Sequence, residues 1–270
     1  MSWLRDTLGL PSSRLIGERL RARLATPHPH PLFLFGNQKA GGTAIAGLLA
    51  AATGLRAALD LEGTTAPRFA RLMRGETTLE DFIAKNAWSF SAPIVKDGNL
   101  TFVADALMTH FGVTRAGFIL RNPFDNIRSI LDRLKLAGDL ATLDTARARV
   151  NATWRTILSG ADLGFAPDHY VSILAKRWQR AAEICEAGGE AFVRVRYEDF
   201  LADKRSEIER LARAFGLATP NDIAQLLDRD FQRRGNPATD LRAFFGAENA
   251  KRIEEICGAT AARLGYAAPQ

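Results

Sequence analysis

Apolar residues in this chain alternate between short, largely unbroken runs and longer stretches where they recur every three or four positions. Strand-like runs fall at 32–35, 56–60, 93–95, 116–120 and 191–196, each short enough for a buried strand, with charges only at Arg56, Asp60, Arg194 and Arg196. Helical periodicity fills the intervals at 43–52, 66–74 with 79–85, 100–111, 123–136 and 172–186. Strand and helix in strict alternation predict an α/β fold, a three-layer α/β/α sandwich with a central parallel sheet. Helices are expected to dominate from 206 onward, packing back on the sheet. The whole chain, 1–270, is expected to be one domain. Residues 1–30 read as an N-terminal helical extension that ends at two His-Pro pairs, and 138–169 as an insertion able to serve as a lid, helix-prone over 138–159 with Asn151 and Trp154 and a loop over 160–169.

Composition narrows the class. Apolar residues make up 47% and charged residues 24%, which suits a globular protein rather than a disordered one. The formal charge is +6, and arginine greatly outnumbers lysine, which favours planar recognition of phosphate or sulfate groups. A basic tail, a zinc-ligand cluster and an aromatic-basic repeat are all missing from the sequence, so nucleic acid is not an expected partner. Cys185 and Cys257 are far apart and read as free buried thiols. His28, His30, His110 and His169 form no ligand set, and no metal is expected. No apolar run is long enough to span a membrane and the start lacks a signal-peptide core, which predicts a cytoplasmic protein. Trp3, Leu4, Leu8, Leu15, Ile16, Leu20 and Leu24 can form an amphipathic stripe, leaving peripheral membrane contact open. Nothing in the pattern reports the oligomeric state.

Chemistry concentrates at the end of the first strand. Gly36-Asn37-Gln38-Lys39-Ala40-Gly41-Gly42-Thr43 leads from an apolar run into an Ala/Leu-rich helix. Such a junction directs free N–H groups and the positive end of a helix dipole at one point, and Lys39 adds a full charge. A Walker loop requires lysine at position 42 when counted from Gly36, and Gly42 stands there instead. A second phosphate-binding arrangement follows the run at 116–120, in Arg121-Asn122-Pro123-Phe124-Asp125 and on to Ser129. Pro123 suits the first position of a helix, which places Arg121 at the strand edge and Ser129 two turns into the helix. A bidentate arginine and a serine hydroxyl can then converge on one phosphate.

Lys39-Ala40-Gly41-Gly42-Thr43 resembles the 5′-phosphosulfate loop of sulfotransferases that use 3′-phosphoadenylyl sulfate (PAPS). Arg121 with Ser129 is similar to the 3′-phosphate site of the same family, in its bacterial type with a P-loop-like fold. Tyr197-Glu198-Asp199 resembles a segment whose tyrosine contacts adenine, and Arg233-Arg234-Gly235 the loop that closes over the 3′-phosphate. The segment 93–97, with Lys96 and Asp97 at its end, looks like the family's buried strand that ends in lysine. The resemblance runs through residues 32–266 as ordered landmarks. It implies a PAPS-dependent sulfotransferase that releases adenosine 3′,5′-bisphosphate (PAP) and needs no metal. The implied acceptor is a small molecule, lipid or carbohydrate, of which the sequence says nothing more.

The same resemblance assigns roles. Lys39 would offset charge on the departing phosphate oxygen, aided by the backbone of Gly41, Gly42 and Thr43, and Lys96 would face the transferred group. The family's adenine-stacking tryptophan is replaced by Ala44, and its catalytic histidine by Gly98. The general base is therefore expected among carboxylates, Glu62 ahead of Asp60, with Asp97 third. Two other readings compete: a P-loop kinase with a degenerate Walker loop, and a non-catalytic polyanion-binding protein.

Overall fold

The computed structural model describes residues 25–229, 231 and 240–267. Five parallel strands form one sheet: β1 (Leu32–Gly36), β2 (Ala57–Leu59), β3 (Ile94–Lys96), β4 (Ala116–Leu120) and β5 (Phe192–Arg196), in the spatial order β2-β3-β1-β4-β5. Leu34 is opposite Lys96 on one side and Gly117 on the other, which puts β1 at the centre. The predicted runs all become strands, trimmed at 56–60 to three residues because the chain turns at Asp60.

Both faces of the sheet are covered, which is why the central strands β1 and β4 are apolar throughout, whereas the edge strand β5 carries the exposed Arg194. Phe33, Phe35, Val95, Phe118 and Leu120 point into one core; Leu34, Ile94, Ile119, Val193 and Val195 point into the other. Helix α1 (Gly42–Thr53) follows the first loop and covers the second face through Ile45, Leu48 and Leu49. The next interval holds α2 (Arg68–Met73), α3 (Leu79–Lys85) and α4 (Ala87–Phe90), and α5 (Ala104–His110) precedes β4. Phe33 and Phe35 stack at 5.4 Å, and Phe33, Phe90 and Phe111 form an aromatic cluster behind them. Burial of each ring contributes roughly 1.5–3 kcal/mol.

Helix α6 (Pro123–Leu134) begins as the sequence predicts, with Pro123 in the first turn and the Asn122 side chain accepting from Phe124 N. Its buried face carries Phe124, Ile127, Ile130 and Leu131. The insertion is less helical than expected: of 138–159 only α7 (Ala152–Ser159) is a regular helix, capped by Asn151 at its start, while 160–169 is the loop expected. Helices α8 (Tyr170–Gly188) and α11 (Leu241–Arg263) pack side by side, and α9 (Tyr197–Ala202) and α10 (Lys204–Ala214) follow β5. The stretch between α10 and α11 is less helical than expected, with only a 3₁₀ turn at Ala224–Leu226 among its described residues. The N-terminal stripe through Leu24 lies outside the described residues. No helix among the described residues is long and apolar enough to cross a membrane.

Candidate active site

Order β2-β3-β1-β4-β5 reverses direction between β1 and β4, and in such sheets ligands bind beyond the strand ends at that reversal. Both predicted phosphate cradles emerge there, one after β1 and one after β4. They touch: Arg121 Nη1 donates to the backbone oxygen of Lys39 at 3.0 Å. One cavity of about 450 Å³ is lined by Lys39, Gly41, Gly42, Thr43, Ala44, Asp60, Glu62, Lys96, Arg121, Ser129 and Tyr197. Of the remaining residues singled out from the sequence, Ala40 is buried behind the loop. Arg233, Arg234 and Gly235 lie outside the described residues.

The loop is held rather than merely exposed. Asn126 of α6 donates to Gln38 O at 2.9 Å and accepts from Asn37 Nδ2 at 2.8 Å. Lys39 itself takes a left-handed conformation, φ 64°, which costs a non-glycine residue about 1–2 kcal/mol, and the turn is closed by Ala40 N donating to Asn37 O at 3.2 Å. Gly41 has φ 101° and opens α1; a Cβ there would overlap the Tyr197 ring. Tyr197 in turn has the Arg121 guanidinium over its ring at 4.6 Å. Glycine, tyrosine and arginine thus form one stack across the two cradles.

Electrostatics follow from this crowding of cations. The Lys39 ammonium is brought down to about 8, first by burial and then by repulsion from Arg133, Arg121 and Lys96, with Asp60 opposing. Burial also lowers Arg121. An anion in the cavity would relieve both. Arg128, on the same wall, is neutralised by Asp125 at 3.1 Å and Asp132 at 2.8 Å.

Lys96 lies between the two halves of the site. Its Nζ is 2.6 Å from Asp60 Oδ1 and donates to Thr43 Oγ1 at 3.1 Å. Asp60 is left-handed at φ 54°, and its carboxylate is half-exposed. Glu62 is almost fully exposed at the cavity rim and pairs with Arg68 at 3.3 Å. Asp97 does not meet the expectation of a third candidate base. Its carboxylate is buried and accepts from Leu61 N, Thr64 Oγ1 and Asn99 N at 2.7–2.8 Å, so it fixes the chain that carries Asp60 and Glu62.

The cavity also draws in residues the sequence reading missed. Phe200, Leu201, Leu227 and Phe231 make an apolar end beside Ala44 and Leu48. Arg133, one helical turn beyond Ser129, extends the cationic wall, and its spacing of four was the available signal. The segment expected to form a lid does border the cavity, through Asn151, Thr153, Trp154 and Ile157 at α7. Among the described residues no cluster of three or more His, Cys, Asp or Glu side chains is placed to hold a metal. Cys185 and Cys257 are free and buried, as expected.

No family model matches the chain, and comparison with curated proteins returns no match. Solved structures do match. The sulfotransferase domain from the curacin biosynthetic pathway is 12% identical, covers 90% of this chain and 100% of its own, and superimposes with a TM-score of 0.51. Sulfotransferase STF9 from Mycobacterium avium is 14% identical over 94% of this chain and 81% of its own, also at 0.51. At such identities the likeness is one of architecture: the chain has the three-layer α/β/α fold of these sulfotransferases.

Proposed function

We propose that the protein is a PAPS-dependent sulfotransferase acting on a hydroxyl or amine of a small-molecule, lipid or carbohydrate acceptor. The supporting observation is the hydrogen bond from Arg121 to the Lys39 carbonyl, which sets a 5′-type and a 3′-type cradle on one cavity. One doubly phosphorylated adenosine can then engage both. Arg121 and Ser129 take the 3′-phosphate, with Arg233, Arg234 and Gly235 as further expected ligands. Adenine goes to the apolar end formed by Ala44, Leu48, Phe200, Leu227 and Phe231, with Tyr197 as the wall toward Gly41.

In the reaction the bond between sulfur and the 5′-phosphate oxygen breaks, and its electron pair stays on that oxygen. Lys39 and the N–H groups opening α1 offset the charge that develops there. Lys96, which reaches the N-terminus of α1 through Thr43, offsets charge on the transferring sulfuryl group. The acceptor oxygen or nitrogen forms the new bond to sulfur and gives its proton to a carboxylate, Glu62 or Asp60. Glu62 is preferred because Asp60 is held by Lys96. The products are the sulfated acceptor and PAP. A sulfuryl group carries less charge than a phosphoryl group, so no divalent metal is required.

The kinase alternative loses ground at position 42, where a Walker loop needs its lysine. A Cβ on Gly42 would come within 2.7 Å of Lys96 Cε, a side chain already tied to Asp60 and Thr43. The test is transfer of label from sulfur-labelled PAPS to a panel of phenol, sterol and sugar acceptors, with Lys39→Ala alongside. The expected result is metal-independent transfer that falls by about 10²–10³-fold in the variant. Wild-type turnover in Lys39→Ala, or phosphoryl transfer from magnesium-ATP instead, would overturn the assignment.

A further inference from the structure

Arg177, on the inner face of α8, is 1% exposed, yet its guanidinium is divided among three separate segments. Nε donates to Gln38 Oε1 at 2.9 Å, Nη1 to Asp162 Oδ2 at 2.6 Å and Nη2 to Asn99 Oδ1 at 2.6 Å. Phe102 lies flat beneath the guanidinium, 4.5 Å from it. Asn99 extends the network: its Nδ2 donates to Thr64 O at 2.8 Å, and its Oδ1 also accepts from Gln38 Nε2 at 2.5 Å.

Gln38, Asn99 and Thr64 line the cavity, and Asp162 is buried behind it. Gln38 immediately precedes Lys39. Thr64 belongs to the segment that carries Asp60 and Glu62. Asp162 follows α7, which brings Trp154 to the cavity. A buried charge kept only for stability is a poor arrangement, since apolar replacement of buried ion pairs is often neutral or stabilising. A single ammonium would satisfy Asp162 alone, whereas the planar fork reaches all three partners.

The catalytic groups need outside support of this kind. Lys39 and Asp60 sit on loops after β1 and β2, strands that are not neighbours because β3 lies between them. Both residues are left-handed, at φ 64° and 54°, a strained conformation that persists only where the surroundings enforce it. No strand-to-strand ladder fixes one loop against the other. Side chains do so: Lys96 bridges Thr43 and Asp60, and Arg177 gathers Gln38 on one side and Asn99, bonded on to Thr64, on the other.

We propose that Arg177 is a positioning residue that holds Lys39 in register with the Asp60–Glu62 segment and with the lid helix α7. The proposal rests on the sulfuryl-transfer reading, because it assigns the leaving group to one loop and the proton acceptor to the other. A displacement of about 1 Å between such groups lowers turnover by about 10²-fold while leaving binding contacts largely in place.

The test uses the full chain with Arg177→Lys and, independently, Gln38→Leu, which cuts the loop's tie without disturbing the buried Arg177–Asp162 pair. Labelled PAPS with phenol as the acceptor gives kcat and the donor KM, calorimetry gives PAP affinity from pH 7 to 9.5, and melting reports folding. Gln38→Leu is expected to lower kcat about 30- to 100-fold with the donor KM within about threefold of wild type. In both variants Lys39 is released toward solvent, so PAP affinity stays level to pH 9.5, whereas in wild type it weakens above pH 8. Should Arg177→Lys fail to fold, Gln38→Leu decides alone. Wild-type kcat and a wild-type pH profile in folded Gln38→Leu would overturn the positioning role. A wild type that neither binds PAP nor transfers sulfate would instead overturn the reading beneath it.

Discussion

Lys39 is essential to the proposed chemistry and should also be a burden on the empty protein. Its ammonium is partly buried among Arg133, Arg121 and Lys96 and titrates near 8 rather than at 10.5. At about 1.4 kcal/mol per unit, that difference caps the cost of keeping it charged at about 3.5 kcal/mol. Part of Lys39 reaches solvent, so screening reduces the measurable share to roughly 1–2 kcal/mol. Lys39→Met keeps the aliphatic stem and the left-handed backbone but removes the charge. The sign follows from linkage. Between pH 8 and 10.5 the unfolded chain binds a proton at Lys39 that the folded chain has released, so wild-type stability rises with pH across that window. Urea denaturation should therefore find Lys39→Met more stable than wild type by about 1–2 kcal/mol at pH 7, with the gap closing as pH approaches 10.5. The same variant should be inactive. A variant less stable than wild type at pH 7, or a gap that does not change with pH, would refute the picture of a cationic pocket awaiting an anion.

Gly41→Ala would place a methyl group into the Tyr197 ring at a backbone with φ 101°. Calorimetry should show PAP affinity reduced by at least about tenfold, together with a lower melting temperature, and unchanged binding would show that the stack is not tight. Trp154→Ala, at the α7 border of the cavity, should raise the acceptor KM several-fold while PAP affinity stays within about twofold. A selective loss of PAP affinity would put α7 on the donor side instead.

The sequence revealed the parts of the site that are built locally. An apolar run, a small-residue turn with Lys39 and a helix start encode the first cradle; Arg121, Pro123 and Ser129 encode the second within nine consecutive residues. The parallel sheet was legible because both-face burial leaves the central strands β1 and β4 apolar at every position. The insertion was not. Carbonyls at its start are satisfied from afar, with Asn249 donating to Gly138 O and Leu140 O and Tyr170 OH to Ala137 O, and helix forms only at Ala152–Ser159. Arg177 reads in sequence as one more polar position of a long helix. Its use depends on residues 38, 99 and 162, which no local pattern connects. Asp97 stood third among the candidate bases by its place at a strand end, where carboxylates more often serve as caps; Leu61, Thr64 and Asn99 occupy it in the fold.

Calorimetric titration with PAP and with 5′-AMP, in the absence of magnesium, tests most directly whether one nucleotide bridges Lys39 and Arg121. Bidentate charge-assisted contacts to the second phosphate should make PAP bind about 10- to 100-fold more tightly than 5′-AMP, and Arg121→Ala should erase that preference. Equal affinity for the two nucleotides, or a preference that survives Arg121→Ala, would contradict it.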